Sequence, residues 1–331
     1  MKICYLNHDL KENTGAGRFG LQLIGGLKRE NPDFHPIVLT AVGSLHAWEK
    51  PVLHPDIFKL FLALPRIRAI FKECDIIHAL DGFPYGVIAA IASIGLGKKL
   101  IITAIGTGAI QAFRHPLKGM LLRWAYLRAD RLVAVSNYTK REILSRVKGL
   151  DIFVINHAID TREFSESSDA ELTEEERNTI RRMKPYTLSV GAGKKRKGYE
   201  YSFPAFAETE KRFPGLKYAV VGIDRENTLA DFLGITNKVF CFALVRRPFL
   251  IALYRNAELF MLLPCDDSGD VEGFGFAFLE AAAAGLPVVG TYNSGAEDAI
   301  DNEKNGFLVE PRNSAAAAEA VSADLSNLSL T

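Results

Sequence analysis

Cysteine is scarce in this chain of 331 residues: the four present, Cys4, Cys74, Cys241 and Cys265, lie far apart and form no C-x-x-C pair. Neither a zinc site nor a redox dithiol is suggested, and a reduced cytosolic chain is the simplest reading. Long apolar runs are missing too. The longest, "GFPYGVIAAIASIGLG" (82–97), stops at Lys98-Lys99, short of the ~20 residues that a spanning helix needs, and reads as a buried helix. No secretory leader is visible, because Met1-Lys2 runs straight into the strand-like "ICYLN". A strict D-x-D is absent from "CDDSGD" (265–270), and no His, Asp and Glu cluster has metal-ligand spacing. Hydrophobic residues make up 48% and charged residues 24%, the proportions of a soluble globular protein with a sizeable core.

Acidic residues run short in one half only. The net charge is +1, yet residues 1–163 hold 22 Lys and Arg against 14 Asp and Glu, and the remainder 18 against 25. A basic first half suits an anionic partner such as a phospholipid surface or a phosphorylated acceptor; drift of surface charge between domains produces the same imbalance. Within it, "FRHPLKGMLLRWAYLRADR" (113–131) interleaves Arg, Lys, Trp124 and Leu at roughly helical spacing. That pattern fits a helix resting on an anionic bilayer, or a basic-faced helix packed on its own sheet. No nucleic-acid-binding module is visible.

What is present is alternation. "KICYLN", "HPIVLTAV", "DIIHAL", "KLIITAI", "RLVAVS" and "IFVINH" read as strands, with helical patterns such as "GLQLIGGLKRE" and "YGVIAAIASIGL" between them. Strands alternating with helices imply a parallel sheet covered on both faces. From Thr161 the chain turns charged and Ser-rich ("TREFSESSDAELTEEERNTIRRMKPY"), as a connecting segment with one polar helix would. A second alternating series then runs from "TLSVGAG" to "GFLVEP". The expected class is therefore α/β, with two Rossmann-like domains facing a cleft: 1–160, a linker and polar helix over 161–186, and 187–331. Ligands of such sheets bind outside the carboxyl ends of the strands.

Two glycine loops bear on the ligand. Gly15-Ala16-Gly17-Arg18-Phe19-Gly20 has the spacing of a dinucleotide fingerprint. That fingerprint needs its glycines directly after the first strand and an acid at the end of the second, but "HDLKENT" intervenes and "HPIVLTAV" ends without Asp or Glu. An NAD-dependent oxidoreductase is disfavoured. A loop opening a helix remains, suited to a phosphate or carboxylate, or simply to tight packing.

The second loop, "DVEGFGFAFLEAAAAGLPVVG" (270–290), is more informative. Glu272 precedes Gly273 and Gly275, and a helix is expected from near Phe276 to Gly285. The amides of Phe274, Gly275 and Phe276 would sit at its N-terminus, where an anion binds, with Glu272 outside it and Glu280 on its second turn. Two carboxylates about an anion-binding turn suit a nucleotide sugar, which carries both phosphates and hydroxyls; solvated acids near a positive helix end are the alternative.

This segment resembles the E-x7-E signature of retaining glycosyltransferases of family 4, which have the GT-B fold. "RADRLVAVSNYTKREI", "VINHAIDTREF", "VGAGKKRKGYEY", "LIALYRNAELFMLLP" and "NGFLVEP" are similar to further segments of the family, in the family's order, from residue 1 to about 312. "GDVEGFGFAFLEA" is most similar to members that use GDP-mannose, and enzymes of UDP-sugars share most of these residues.

The resemblance implies a metal-independent hexosyltransferase that needs no cofactor and transfers from a nucleotide diphosphate sugar to a hydroxyl of a lipid or glycan. It implies that Glu272 contacts hydroxyls of the donor sugar and Glu280 those of the ribose. The backbone of Gly273, Phe274, Gly275 and Phe276 holds sugar and pyrophosphate, Lys197 with Arg196 meets the diphosphate, and Gly15, Ala16 and Gly17 close on phosphate and acceptor. Glu272 and Lys197 are the expected catalytic residues. A cytoplasmic protein, peripheral at the inner face of a membrane, fits a lipid acceptor. Ile105 stands where the family has His, Ala192 where it has Arg, and the last bracing helices of the family are not evident beyond the Ala-rich segment. These departures keep open a non-catalytic relative that binds a sugar nucleotide or a glycan. His8, His78 and Asp81, at strand ends, are either buried hydrogen-bonded groups or cleft-facing ones.

Overall fold

The computed structural model describes every residue except 13, 44–45, 167, 225–228 and 329–331. The chain divides into two compact units, Met1–Ala158 and Ile159–Thr331. The first is a seven-stranded sheet in the order β3-β2-β1-β4-β5-β6-β7, with every pair parallel. Its strands are β1 (Ile3–Leu6), β2 (Ile37–Leu39), β3 (Glu49–Lys50), β4 (Ile76–Ala79), β5 (Lys99–Ala104), β6 (Arg131–Ala134) and β7 (Ile152–Val154). Helices α1 (Gly15–Glu30), α2 (Ile57–Leu62), α3 (Leu64–Lys72), α4 (Tyr85–Ala92), α5 (Gly106–Ile110), α6 (Pro116–Arg128) and α7 (Asn137–Leu144) connect them. Cys4, Tyr5 and Leu6 of β1 are all buried, since a parallel sheet with both faces covered wants continuous apolar strands rather than alternation. Of the long apolar run, Tyr85–Ala92 forms α4 and is buried along nearly its whole length, while Ile94, Gly95 and Gly97 lie beyond the helix and are exposed.

The second unit has six parallel strands in the order β10-β9-β8-β11-β12-β13: β8 (Tyr186–Val190), β9 (Lys217–Val221), β10 (Val239–Phe242), β11 (Leu259–Met261), β12 (Val288–Thr291) and β13 (Gly306–Val309). Its helices are α8 (Arg162–Ser165), α9 (Glu174–Met183), α10 (Tyr199–Arg212), α11 (Arg247–Asn256), α12 (Phe276–Ala283) and α13 (Ser314–Leu328). Both units are thus Rossmann-like. Residues 161–186, read from sequence as a connecting segment, pack as part of the second unit: Phe164, Leu172, Ile180 and Met183 enter its core beside Leu188, Tyr254 and Phe278. The reason is legible in α9, whose charged surface hides one apolar stripe, and whose start is fixed by a capping box between Thr173 and Glu176.

Helix α6 is apolar on two faces. Gly119, Leu122, Ala125 and Tyr126 are buried, while Leu117 (64% exposed), Met120 (60%), Trp124 (37%) and Leu127 (55%) line the opposite face. Their spacing of three, four and three residues makes one stripe.

The glycines of α1 serve different ends. A Cβ on Gly17 would overlap the Lys11 carbonyl and the Asp9 carboxylate, one on Gly20 would overlap the Asn7 amide, and one on Gly15 would meet nothing. Gly17→Ala is therefore expected to lower unfolding free energy by about 1–3 kcal/mol, the usual cost of overpacking, and Gly15→Ala to leave it unchanged within about 0.5 kcal/mol; paired denaturant titrations measure both.

Candidate functional site

In the second unit the strand order reverses between β8 and β11, and the loops leaving their carboxyl ends meet there, where open α/β sheets bind ligands. The loop after β8 closes in a tight turn over Lys195–Lys197, ended by Gly198 at φ +70°. A Cβ on Gly198 would overlap the Leu263 carbonyl, so glycine alone lets the turn rest on the exit of β11. Cys265 N–H donates to Arg196 O (3.0 Å), stitching the two loops.

The loop after β11 delivers Asp270 and Glu272. Lys197 Nζ lies 2.6 Å from Glu272 Oε2 and Arg196 Nη1 2.5 Å from the same oxygen; Arg196 Nε is 2.9 Å from Asp270 Oδ1. Lys197 is 8% exposed. Burial pulls its ammonium below the ordinary value, with Arg196 adding to that and Glu272 opposing it. Burial alone would raise the Glu272 carboxyl, but Lys197 and Arg196 hold it below the usual range. Two cations and two carboxylates compensate one another, as buried charge requires.

Behind this loop, Gly295 N–H donates to Glu272 O (2.8 Å), and a Cβ on Gly295 would overlap the Gly273–Phe274 peptide. Gly275, at φ +86°, caps α12, which begins at Phe276. Phe274 is buried, Phe276 half-buried. Glu280 sits one turn on, almost wholly buried, in a second cluster: Oε1 pairs with Arg247 Nη1, Oε2 accepts from Tyr254 OH at 3.1 Å, and Arg247 also reaches Glu163. The spacing of the two acids was readable in sequence. The Glu280 partners Arg247 and Tyr254, the carboxylates Glu163 and Asp270 that pair with Arg247 and Arg196, and the pressing Gly295 were not; only "RR" opening a helix, where cations are disfavoured, hinted that something acidic waited nearby.

In the first unit, Gly15, Ala16 and Gly17 form the first turn of α1. Thr14 Oγ1 accepts from Gly17 N–H (3.0 Å) and donates to Asp9 Oδ1 (2.6 Å), and Ala16 O accepts from Asn7 Nδ2 (2.8 Å). Much of this loop is internal packing, with Gly15 the open position. His78 is half-buried and held by Thr103 Oγ1 at 2.7 Å, and desolvation lowers its pKa to about 4. His8 Nδ1 lies 2.9 Å from Tyr85 OH. Asp81 Oδ1, packed against Gly108, is out of solvent without a hydrogen-bond partner, and burial pushes the carboxyl up to about 7 against the Gly82 N–H. Among the described residues no group of three or more His, Cys, Asp or Glu is placed to hold a metal ion.

Residues 14–163 match the family described as Glycosyltransferase Family 4, and residues 171–328 that described as Glycosyl transferases group 1. The chain is 26% identical over 272 residues to the GDP-mannose-dependent alpha-(1-6)-phosphatidylinositol monomannoside mannosyltransferase of Mycolicibacterium smegmatis, covering 78% of this chain and 70% of that one. It is 26% identical over 246 residues to the N-acetyl-alpha-D-glucosaminyl L-malate synthase of Bacillus anthracis, covering 72% and 62%. Among solved structures, Anabaena Alr3699/HepE in complex with UDP-glucose superposes with a TM-score of 0.76 at 19% identity, over 99% of this chain and 91% of that one; the likeness is one of fold.

The charge cluster makes a pH prediction. Glu272, held below its ordinary value of 4.5, contributes stability that is complete above the carboxylate range and lost as pH falls through its lowered value. Glu272→Gln is expected to cost roughly 3 kcal/mol near neutrality, by leaving two cations under-compensated, and the gap from wild type should narrow as pH falls through and below the ordinary carboxylate range. Urea unfolding of both proteins across that range reads the difference.

Proposed function

The chain is a glycosyltransferase of the GT-B type, a family 4 domain followed by a group 1 domain, and we propose that it moves a hexose from a nucleotide diphosphate sugar to a hydroxyl of a lipid or glycan with retention at the anomeric carbon. The observation that carries this reading is the pair Arg196 and Lys197, gathered on Glu272 at the switch point of the second sheet. A donor diphosphate gives both cations a doubly charged partner in place of one carboxylate oxygen. Glu272, so released, accepts from the sugar hydroxyls.

As the bond from the anomeric carbon to the diphosphate oxygen breaks, the sugar becomes oxocarbenium-like and charge grows on the departing group. Lys197, Arg196 and the backbone of Phe274–Phe276 at the start of α12 meet that charge, the kind of preorganised stabilisation that dominates such steps. The acceptor oxygen bonds to the same face, and its proton passes to an oxygen of the leaving phosphate. Glu280 takes the ribose hydroxyls. In the first unit the open turn at Gly15 and Ala16 is the place for a phosphate oxygen, with Gly17 securing the turn. GDP-mannose and UDP-sugars are the donor candidates: the first is named for the mycobacterial relative, the second is bound by the Anabaena neighbour.

Calorimetric titration with GDP-mannose, UDP-glucose and UDP-N-acetylglucosamine tests this. One of them should bind, and Lys197→Ala should weaken it at least about tenfold, the loss of one buried charge-assisted contact, and abolish donor hydrolysis and transfer. Failure of all three to bind would remove the donor reading.

A lipid-borne acceptor is reached at a membrane surface, and the exposed stripe of α6 supports that route. No acidic residue occurs over 82–129, while Arg114, Lys118, Arg123 and Arg128 border Leu117, Met120, Trp124 and Leu127. No helix among the described residues is long and apolar enough to cross a membrane, so the contact is a resting one: apolar side chains in the acyl boundary and basic ones at the headgroups. Co-sedimentation is expected with vesicles containing phosphatidylglycerol and not with phosphatidylcholine alone. Raised salt should weaken it, and the double change Trp124→Ser, Leu127→Ser should abolish it without altering donor binding.

A further inference from the structure

Glu280 is a carboxylate with almost no solvent: its side chain is 2% exposed. Whether it is charged, and where its oxygens point, is therefore set by its neighbours. Those neighbours come from two other helices. Arg247 and Tyr254, at the first and eighth positions of α11, bind one oxygen each. Glu163, from α8, steadies Arg247 through Nη2 at 2.5 Å and Nε at 3.2 Å, and the guanidinium lies 5.5 Å from the Phe164 ring centroid.

The placing of Arg247 is unfavourable by itself. It opens a helix, with Arg246 as the capping residue before it and no acid in the first turn, where the helix dipole repels cations. Arg246 is matched by Glu176 at 2.6 Å; Arg247 is matched by Glu163 and Glu280. Burial works against the Arg247 charge, yet these two carboxylates hold its pKa above the ordinary value.

We propose that Arg247 is the positioning residue for donor binding: it keeps Glu280 ionised and, with Tyr254, aims its oxygens at the ribose diol. This rests on the reading of Glu280 as the ribose ligand. An ionised carboxylate oxygen accepts more than one hydrogen bond, so the arginine and the tyrosine stay in place when the two hydroxyls arrive. Without the guanidinium, burial favours the protonated form of this carboxyl, and a protonated acid turns a donor toward the hydroxyl it should accept from. Among the charged and titratable groups facing Glu280 are Arg247 and Tyr254 from α11, with Glu163 of α8 behind Arg247.

The test is calorimetric titration of whichever of GDP and UDP binds the wild type, together with its 2′-deoxy counterpart, into wild type, Arg247→Met, Arg247→Lys and Glu280→Gln from about pH 6.5 to about pH 8.5. The wild type should bind the ribonucleotide with little pH dependence and prefer it to the deoxynucleotide. Arg247→Met should bind about tenfold more weakly at the acid end, recover most of that at the alkaline end, and show its preference for ribose only there. Arg247→Lys, which keeps a charge, should restore binding in part. Glu280→Gln should lose the preference at every pH. Unchanged or tighter binding by Arg247→Met, or a loss that pH does not relieve, overturns the assignment of Arg247 while leaving the donor reading intact. A wild type that binds neither nucleotide, or a Glu280→Gln that keeps the preference, overturns the ribose role of Glu280 and this assignment with it.

Discussion

Charge taken out of water must be answered by charge, and in the second unit that requirement organises the ligand end of the sheet. Lys197 is buried deeply enough that burial opposes its own ionisation, and it keeps company with Arg196, a second cation. Glu272 and Asp270 make this tolerable. The four residues come from two loops far apart in sequence, so the compensation also fixes how the exits of β8 and β11 sit against each other. In the function proposed above, a diphosphate would re-pair these same opposite charges.

The fold was legible where burial imposes a strong pattern. Strand segments such as "ICYL" and "LFM" are apolar throughout because both sheet faces are covered, and helices fill the intervals, so the doubly wound architecture follows from alternation alone. What escaped were elements too short or too context-dependent for periodicity. β3 is two residues long, and α2 and α3 meet at Ala63, which ends one helix and begins the next. The segment 161–186 looked like a tether because its charged residues outnumber the few apolar ones, and those few are the ones that enter the core.

The candidate site was legible in its acids and opaque in their partners. Glu272 and Glu280 stand eight apart with glycines between them, a local pattern. Arg247 lies 33 residues from Glu280, Tyr254 26, and Arg196 76 from Glu272; no local rule reaches that far, and only the fold of the second unit brings them together. The histidines at strand ends were undecidable from sequence for the same reason. Thr103, which settles His78, is on the neighbouring strand.

Gly295 has a role that side-chain chemistry does not describe. By lying flush against the Gly273–Phe274 peptide and donating to Glu272 O, it supports the ligand-facing loop from behind along its backbone. A loop so supported has given up its conformational freedom during folding, so a ligand that docks on it does not have to freeze it. Enlarging Gly295 would then press on the Gly273–Phe274 peptide and act on the rate and tightness of association through the shape of the loop backbone.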